Sequence, residues 1–155
     1  MILTLSGEWQ GYCRDLHDEG FQAILTQAQP APQYIGLIVG AATAGRQLNV
    51  RNPDASALAR DFALLNATGK FWDRARSYDA STATLLVLLR DLVDGRNGIA
   101  HRDQSKIDEV NRRGYKLHTL KTFVQFRQGI DQLAEIVDAV VGQQVTDTCG
   151  GVAPW

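Results

Sequence analysis

The chain has 155 residues, 45% of them hydrophobic, which is the size and apolar content of one domain with a core of its own. Sixteen basic side chains stand against seventeen acidic ones, for a formal net charge of -1. That balance excludes a protein that coats nucleic acid through bulk positive charge, and leaves room only for a local basic site.

The first element in chain order is an amphipathic helix. Leu5, Trp9, Tyr12, Cys13, Leu16 and Ile24 recur at helical spacing, while Glu8, Arg14, Asp15, Asp18 and Glu19 fill most other positions. The prolines of "QPAP" end it. The segment "QYIGLIVGAATAGRQL" comes next, apolar and without a polar stripe, so burial on several sides is expected. Its glycines match neither GxGxxG after a strand nor GxxxxGK[ST], and close helix packing at Gly36 and Gly40 is the expected reason for them. In "NVRNPDAS", Pro53 suits the first turn of a helix with Asn52 as its cap, and Leu58, Phe62 and Leu65 continue the apolar face.

"NATGKFWDRARSYDAS" breaks that pattern. A further helix opens near Ser81 and carries Leu85, Leu86, Leu88, Leu89, Leu92 and Val93 into "LVDGRNGIAHRD". The following "HRDQSKIDEVNRRGYKLH" reads as polar turns. A last long helix places Leu120, Phe123, Val124, Ile130, Leu133, Ile136, Val137, Val140 and Val141 on one face. No stretch alternates with period two, so the expected architecture is all-α, an up-and-down bundle of four or five helices in one domain over residues 1–141. Residues 142–155 have turn composition and are expected to form a tail with little order. The wide apolar stripes of the first and last helices would also suit a dimer.

Cys13 and Cys149 lie far apart without CxxC spacing and read as free thiols of a reducing compartment. "MILTLSGEWQ" has no basic segment followed by a long apolar one, so no secretory leader is expected. The uncharged stretch over 28–45 includes Gln29, Pro30, Pro32 and Gln33, short of the roughly 20 apolar residues of a membrane span. The expected location is the cytoplasm. His17, His101 and His118 lack HxxxH or HExxH spacing, so neither a metal site nor a cofactor is expected. Trp9, Tyr12, Phe62, Phe71 and Trp72 fall at helical spacings and suit a core better than a platform for bases. Cys13, on the apolar side of its helix, suits a buried and inert thiol.

Arg96, Asn97 and His101 carry the chemistry. Arg-x4-His is common, and Arg113 and His118 repeat it in this same chain, without a leucine-rich helix before it or an asparagine after the arginine. On a continuing helix Asn97 and His101 share a face, and Arg96 lies about 100° round from Asn97. Gly95 and Gly98 would let another backbone or a ligand approach closely. Histidine exchanges protons near neutral pH, and the guanidinium fork holds phosphate oxygens and stabilises charge in a transition state. These groups suit phosphodiester cleavage without a metal. One histidine does not easily serve as both base and acid, and a two-fold homodimer would supply a second. Arg74, Arg76, Arg102, Arg112 and Arg113 fit a basic rim for RNA binding, or equally a solvated surface.

The stretch "RNGIAH" after "LLVLLRDLVDG" resembles the signature of the HEPN superfamily, Arg-x4-6-His with a polar residue after the arginine. "LSGEWQGYCRDLHDE" is similar to the first helix of the small prokaryotic HEPN group associated with ribonuclease toxins and defence. "NPDASALARDFALL" with the later "FW" is similar to that group's middle region. The resemblance implies a dimeric helical bundle with a shared cleft, and metal-independent endoribonuclease activity in a toxin-antitoxin or antiviral setting. Arg96 would bind phosphate, Asn97 would be the polar motif residue and His101 the acid/base group. Where an antitoxin-modified tyrosine commonly stands in that group, this chain has Asp103, a departure that argues against that regulation. The alternative is a non-catalytic HEPN module that binds RNA, nucleotides or a partner protein.

Overall fold

The computed structural model describes residues 1–65 and 70–151. Within them the chain is all-α, with seven helices, one short 3-10 turn and no strand. In order these are α1 (Ile2–Ala28), α2 (Pro32–Thr43), the 3-10 turn (Gln47–Asn49), α3 (Ala55–Phe62), α4 (Phe71–Tyr78), α5 (Thr82–His101), α6 (Gln104–Arg112) and α7 (Leu120–Thr148).

Three long helices form the centre. Glu8 pairs with Arg127 at 2.9 Å, the Tyr12 hydroxyl donates to the Ala134 carbonyl at 3.0 Å, and Gly20 faces Val141 and Val145. Those contacts advance together along both helices, so α1 and α7 run parallel. Leu88 of α5 sits against Gly129, and Gln132 donates to the Ser81 hydroxyl at 3.2 Å, so α5 runs antiparallel to α7. Trp9, Leu89, Leu92, Phe126, Leu133 and Val137 fill the space between them. Each such side chain stabilises the fold by about 1.5–3 kcal/mol on burial.

Two helices form where breaks were expected. α4 is eight residues long and buries Phe71 and Ala75. α6 is nine residues long and buries only Val110. Helices this short have no stability of their own, and so few apolar positions make no visible period. Their order comes from the surface they dock on. The final helix was expected to stop near Val141, yet α7 continues to Thr148 and buries Gln144 and Val145. Exposed Gln143 and half-buried Thr146 flank the buried Gln144 and Val145, so the polar composition of 142–148 hides a core-facing stripe; residues 152–155 lie outside the described residues. At the other end of α7, Leu120 and Val124 are exposed rather than part of the apolar face.

The largest departure is α2. Its apolar sequence was expected to mean burial, but Ala42 is its one buried residue, and Tyr34, Ile35 and Leu37 are exposed. A side chain added at Gly36 or Gly40 would meet nothing within 4 Å, so close helix packing does not explain those glycines. No helix among the described residues is long and apolar enough to cross a membrane.

Gly95 and Gly98 are explained by packing within the chain. A Cβ at Gly95 would lie 2.8 Å from the tip of Leu117. One at Gly98 would lie 2.9 Å from an Ile107 side-chain carbon and 3.2 Å from the Ile107 backbone nitrogen. The Leu117 tip can rotate away; the α6 backbone cannot. Replacing a helical glycine by alanine gains about 0.5–1 kcal/mol, while overpacking costs about 1–3 kcal/mol. Gly98→Ala is therefore expected to lower the free energy of unfolding in urea, and Gly95→Ala to change it less. Equal losses in the two variants would contradict this packing.

Candidate functional site

The candidate site is built on a segment without regular structure. Between α2 and α3 the chain runs through the 3-10 turn and residues 50–54, and side chains from two helices satisfy its backbone. Asp61 of α3, 1% exposed, accepts from the Gln47 and Leu48 amides at 2.8 Å each. Gln10 of α1 donates to the Leu48 carbonyl at 2.6 Å and the Arg51 carbonyl at 3.0 Å. Trp9 Nε1 donates to the Pro53 carbonyl at 3.2 Å. Asp54, not Asn52, caps α3, accepting from the Ser56 and Ala57 amides at 2.9 Å each. That corrects the expected cap and frees the Asn52 side chain for another partner.

The partner is the motif. Asn52 Nδ2 donates to Asn97 Oδ1 at 3.2 Å, and an Arg96 Nη donates to the same oxygen at 3.0 Å. Arg96 and Asn97 are half-buried, and His101 is exposed as the last residue of α5, one turn beyond Asn97 on its face. Arg96 lines a cleft of about 520 Å³ with Gln10, Asn49, Arg51, Asn52 and Asp54. A neighbouring cleft of about 470 Å³ includes Asn52, Asn97 and Arg90. The carboxylates next to the motif in sequence are engaged by other groups. Asp94 is taken by Arg113, Asp103 caps α6, and among the described residues neither Arg96 nor His101 forms an ion pair.

Of the arginines expected to form a basic rim for RNA, Arg102, Arg112 and Arg113 stand in different settings. Arg102 follows His101 directly, with a left-handed backbone at φ 54°. Its amide donates to the Ile99 carbonyl at 3.3 Å and the Asp103 amide to the Gly98 carbonyl at 2.9 Å, which close α5 in a turn that ordinarily takes glycine. Arg112 is exposed on the last turn of α6. Arg113 is committed elsewhere: it binds buried Asp91 at 2.5 Å, Asp94 at 3.1 Å, and Glu109. Those carboxylates, Glu109 first, raise its already high pKa. In the second Arg-x4-His, Arg113 is thus a clamp between α5 and α6. Asp103 accepts from the Ser105 hydroxyl at 2.8 Å and the Lys106 amide at 3.3 Å, which lowers its pKa.

Arg74 and Arg76, the other members of the expected rim, pair with Asp147 at 2.7 Å and Asp73 at 2.9 Å on the far side of the bundle. The aromatic residues fall in or against the core, with Trp72 Nε1 donating to the Ala55 carbonyl at 2.6 Å. Cys13 is fully buried and burial raises its pKa, so it is no nucleophile. Among the described residues no three His, Cys, Asp or Glu side chains gather where they could hold a metal ion. Sequence reasoning missed Asn52 and Gln10 as neighbours of the motif. The signal available was Asp54, a better cap three residues before Ala57, which left Asn52 unassigned.

Comparison of the chain with protein-family models, with curated proteins and with solved structures finds no significant match.

His17 is fully buried beside Phe62, with Arg46 and Asp18 each 3.4 Å from Nδ1 and Nε2 without a partner among the described residues. Burial lowers its pKa, and Arg46 adds to that, against the opposing pull of Asp18 and Asp61. The unfolded ring takes up a proton near pH 6.5 and the folded ring only at lower pH. Stability is therefore expected to fall as pH drops below about 6.5, until the folded-state pKa is passed. In His17→Leu, urea denaturation at pH 7 and pH 5 should show a smaller loss on the acid side than the parent. An unchanged loss would place the titrating group elsewhere.

Proposed function

We propose that the chain is a HEPN-type, metal-independent endoribonuclease acting as a homodimer, in which Arg96, Asn97 and His101 of each protomer form half of a composite site. The observation that carries the reading is the contrast between the two Arg-x4-His pairs. Arg113 is consumed by three carboxylates, whereas Arg96 is held by an amide oxygen beside a polar cleft, leaving guanidinium N–H groups for phosphate.

In the proposed step one His101 removes the proton from a ribose 2'-OH, and that oxygen attacks the adjacent phosphorus. The P–O5' bond breaks, and the partner copy's histidine gives a proton to the departing 5'-oxygen. The products are a 2',3'-cyclic phosphate and a 5'-hydroxyl end. Arg96 stabilises the charge that builds on the non-bridging oxygens. The setting we infer is a toxin-antitoxin pair or a phage-defence system. A second reading, a non-catalytic module that docks on a protein, is favoured by one feature, the exposed Tyr34, Ile35 and Leu37 of α2.

The test is incubation with structured and unstructured RNA in EDTA, with cyclic-phosphate ends as the product. His101→Ala and Arg96→Ala are each expected to lose at least about 100-fold in rate. Full activity in His101→Ala, or a strict monomer by light scattering, would overturn the composite site. Arg102 gives a second check. A non-glycine residue with a left-handed backbone costs about 1 kcal/mol, so Arg102→Gly should raise stability by about that amount. If Arg102 also grips RNA, the same variant should raise KM for RNA, a combination that simple damage to the fold does not produce.

A further inference from the structure

The contacts of Asn52 are not accounted for by helix capping, which Asp54 performs, or by burial, since Asn52 is only half-buried. Its amide reaches across 45 positions of sequence to the side chain of Asn97. Both groups that face Asn97 Oδ1, Asn52 Nδ2 at 3.2 Å and the Arg96 guanidinium at 3.0 Å, are donors. Guanidinium offers no acceptor at all, so the carboxamide of Asn97 must present its oxygen to this pair. Its Nδ2 then points away from them, and among the described residues that NH2 group has no hydrogen-bond partner.

Arg96 alone is a weak guide for this orientation, because it is the preceding residue on the helix and its long side chain has many rotamers. Asn52 is short and comes from a separate segment. That segment is anchored independently by Trp9 and Gln10 of α1 and by Asp61 of α3. It therefore supplies a fixed donor against which the Asn97 amide is set.

We propose that Asn52 is a positioning residue that locks the Asn97 carboxamide with its NH2 group turned outward, ready to donate to a phosphate or ribose oxygen of RNA beside His101. The proposal rests on the ribonuclease reading for the identity of the ligand, but not for the Asn52–Asn97 contact. Arg51, exposed on the same segment, faces the same cleft as Arg96, so the segment adds a second cation to the wall along which the chain of phosphates would run. Asp54 also stands in that wall and keeps its negative charge, with one oxygen turned to the Ser56 and Ala57 amides at the start of α3.

Two substitutions separate positioning from mere support. Asn52→Ala removes the donor and lets the Asn97 amide rotate. Asn52→Asp keeps the shape but replaces the donor by an acceptor, which draws the Asn97 NH2 group inward and competes for Arg96. On RNA cleavage, kcat is expected to fall at least about ten-fold in Asn52→Ala and further in Asn52→Asp, with KM changed much less. A purely supporting role predicts the reverse order, since the isosteric variant would disturb the fold less.

A second measurement does not need cleavage. The Asn97 side-chain NH2 resonances of 15N-labelled protein are followed while a 2'-O-methyl RNA oligonucleotide, which lacks the attacking hydroxyl, is added. They are expected to shift in the parent, and to shift much less in both variants. If the parent cleaves no RNA but shows this pattern, the ribonuclease reading fails and the positioning role stands. If kcat in both variants stays within two-fold of an active parent, the positioning role is overturned while the ribonuclease reading survives. If the Asn97 resonances respond alike in parent and variants, or do not respond in the parent, the positioning role is overturned as well. Should Asn52→Ala not fold, Asn52→Asp decides both measurements.

Discussion

The candidate site depends on how the backbone of the segment after α2 is satisfied. Buried peptide groups outside a helix need partners, and a missing one costs about 1–3 kcal/mol. Here the partners are side chains: Asp61 holds the amides of the 3-10 turn, while Gln10 and Trp9 hold the carbonyls of Leu48, Arg51 and Pro53. Each comes from a helix that is itself packed in the bundle. The consequence is a loop whose position is set by the core, so that Asn52 arrives at α5 at one place only. Arg46 extends the same logic. Nine-tenths buried, it binds Asp18 at 2.5 Å and Asn49 at 3.2 Å, fastening the start of the turn to α1.

Identical spacing led to opposite outcomes at the two arginine-histidine pairs. Arg96 lies inside a long helix, where its neighbours are an amide and a glycine. Arg113 follows the last residue of α6, where Asp91 and Asp94 of α5 and Glu109 of α6 converge. A guanidinium surrounded by three carboxylates has little capacity left for a phosphate. Asp91 in turn is buried, and without Arg113 its charge would lack its closest partner. The decoy is a structural device that shares only a pattern with the candidate site.

The long helices were legible because each presents many apolar residues at a steady period. Trp9, Leu89, Leu133 and Val137 could be placed in the core from spacing alone. α4 and α6 were not legible, because one or two buried side chains in eight or nine residues make no period. α2 misled for a related reason. Hydropathy reports what a segment would gain by burial, not whether a surface is offered to it. Within the site, the shared face of Asn97 and His101 follows from helix geometry, and the placement of Arg96 nearly so. Asn52 could not be read in that way, since a contact across 45 positions between two irregularly placed amides has no local signature.

The parallel pairing of α1 with α7 joins the two ends of the described chain. During synthesis, the apolar stripe of α1 is complete long before residues 126–145 leave the ribosome, and its partner on α5 also comes late. Contacts so distant in sequence slow folding, and an apolar face that waits uncovered invites association with other chains. The bundle is therefore expected to form its α5–α6 clamp early, from near neighbours, and to close around α1 last. Until α7 is made, α1 therefore adds an uncovered apolar face to the one that α2 keeps in the finished fold.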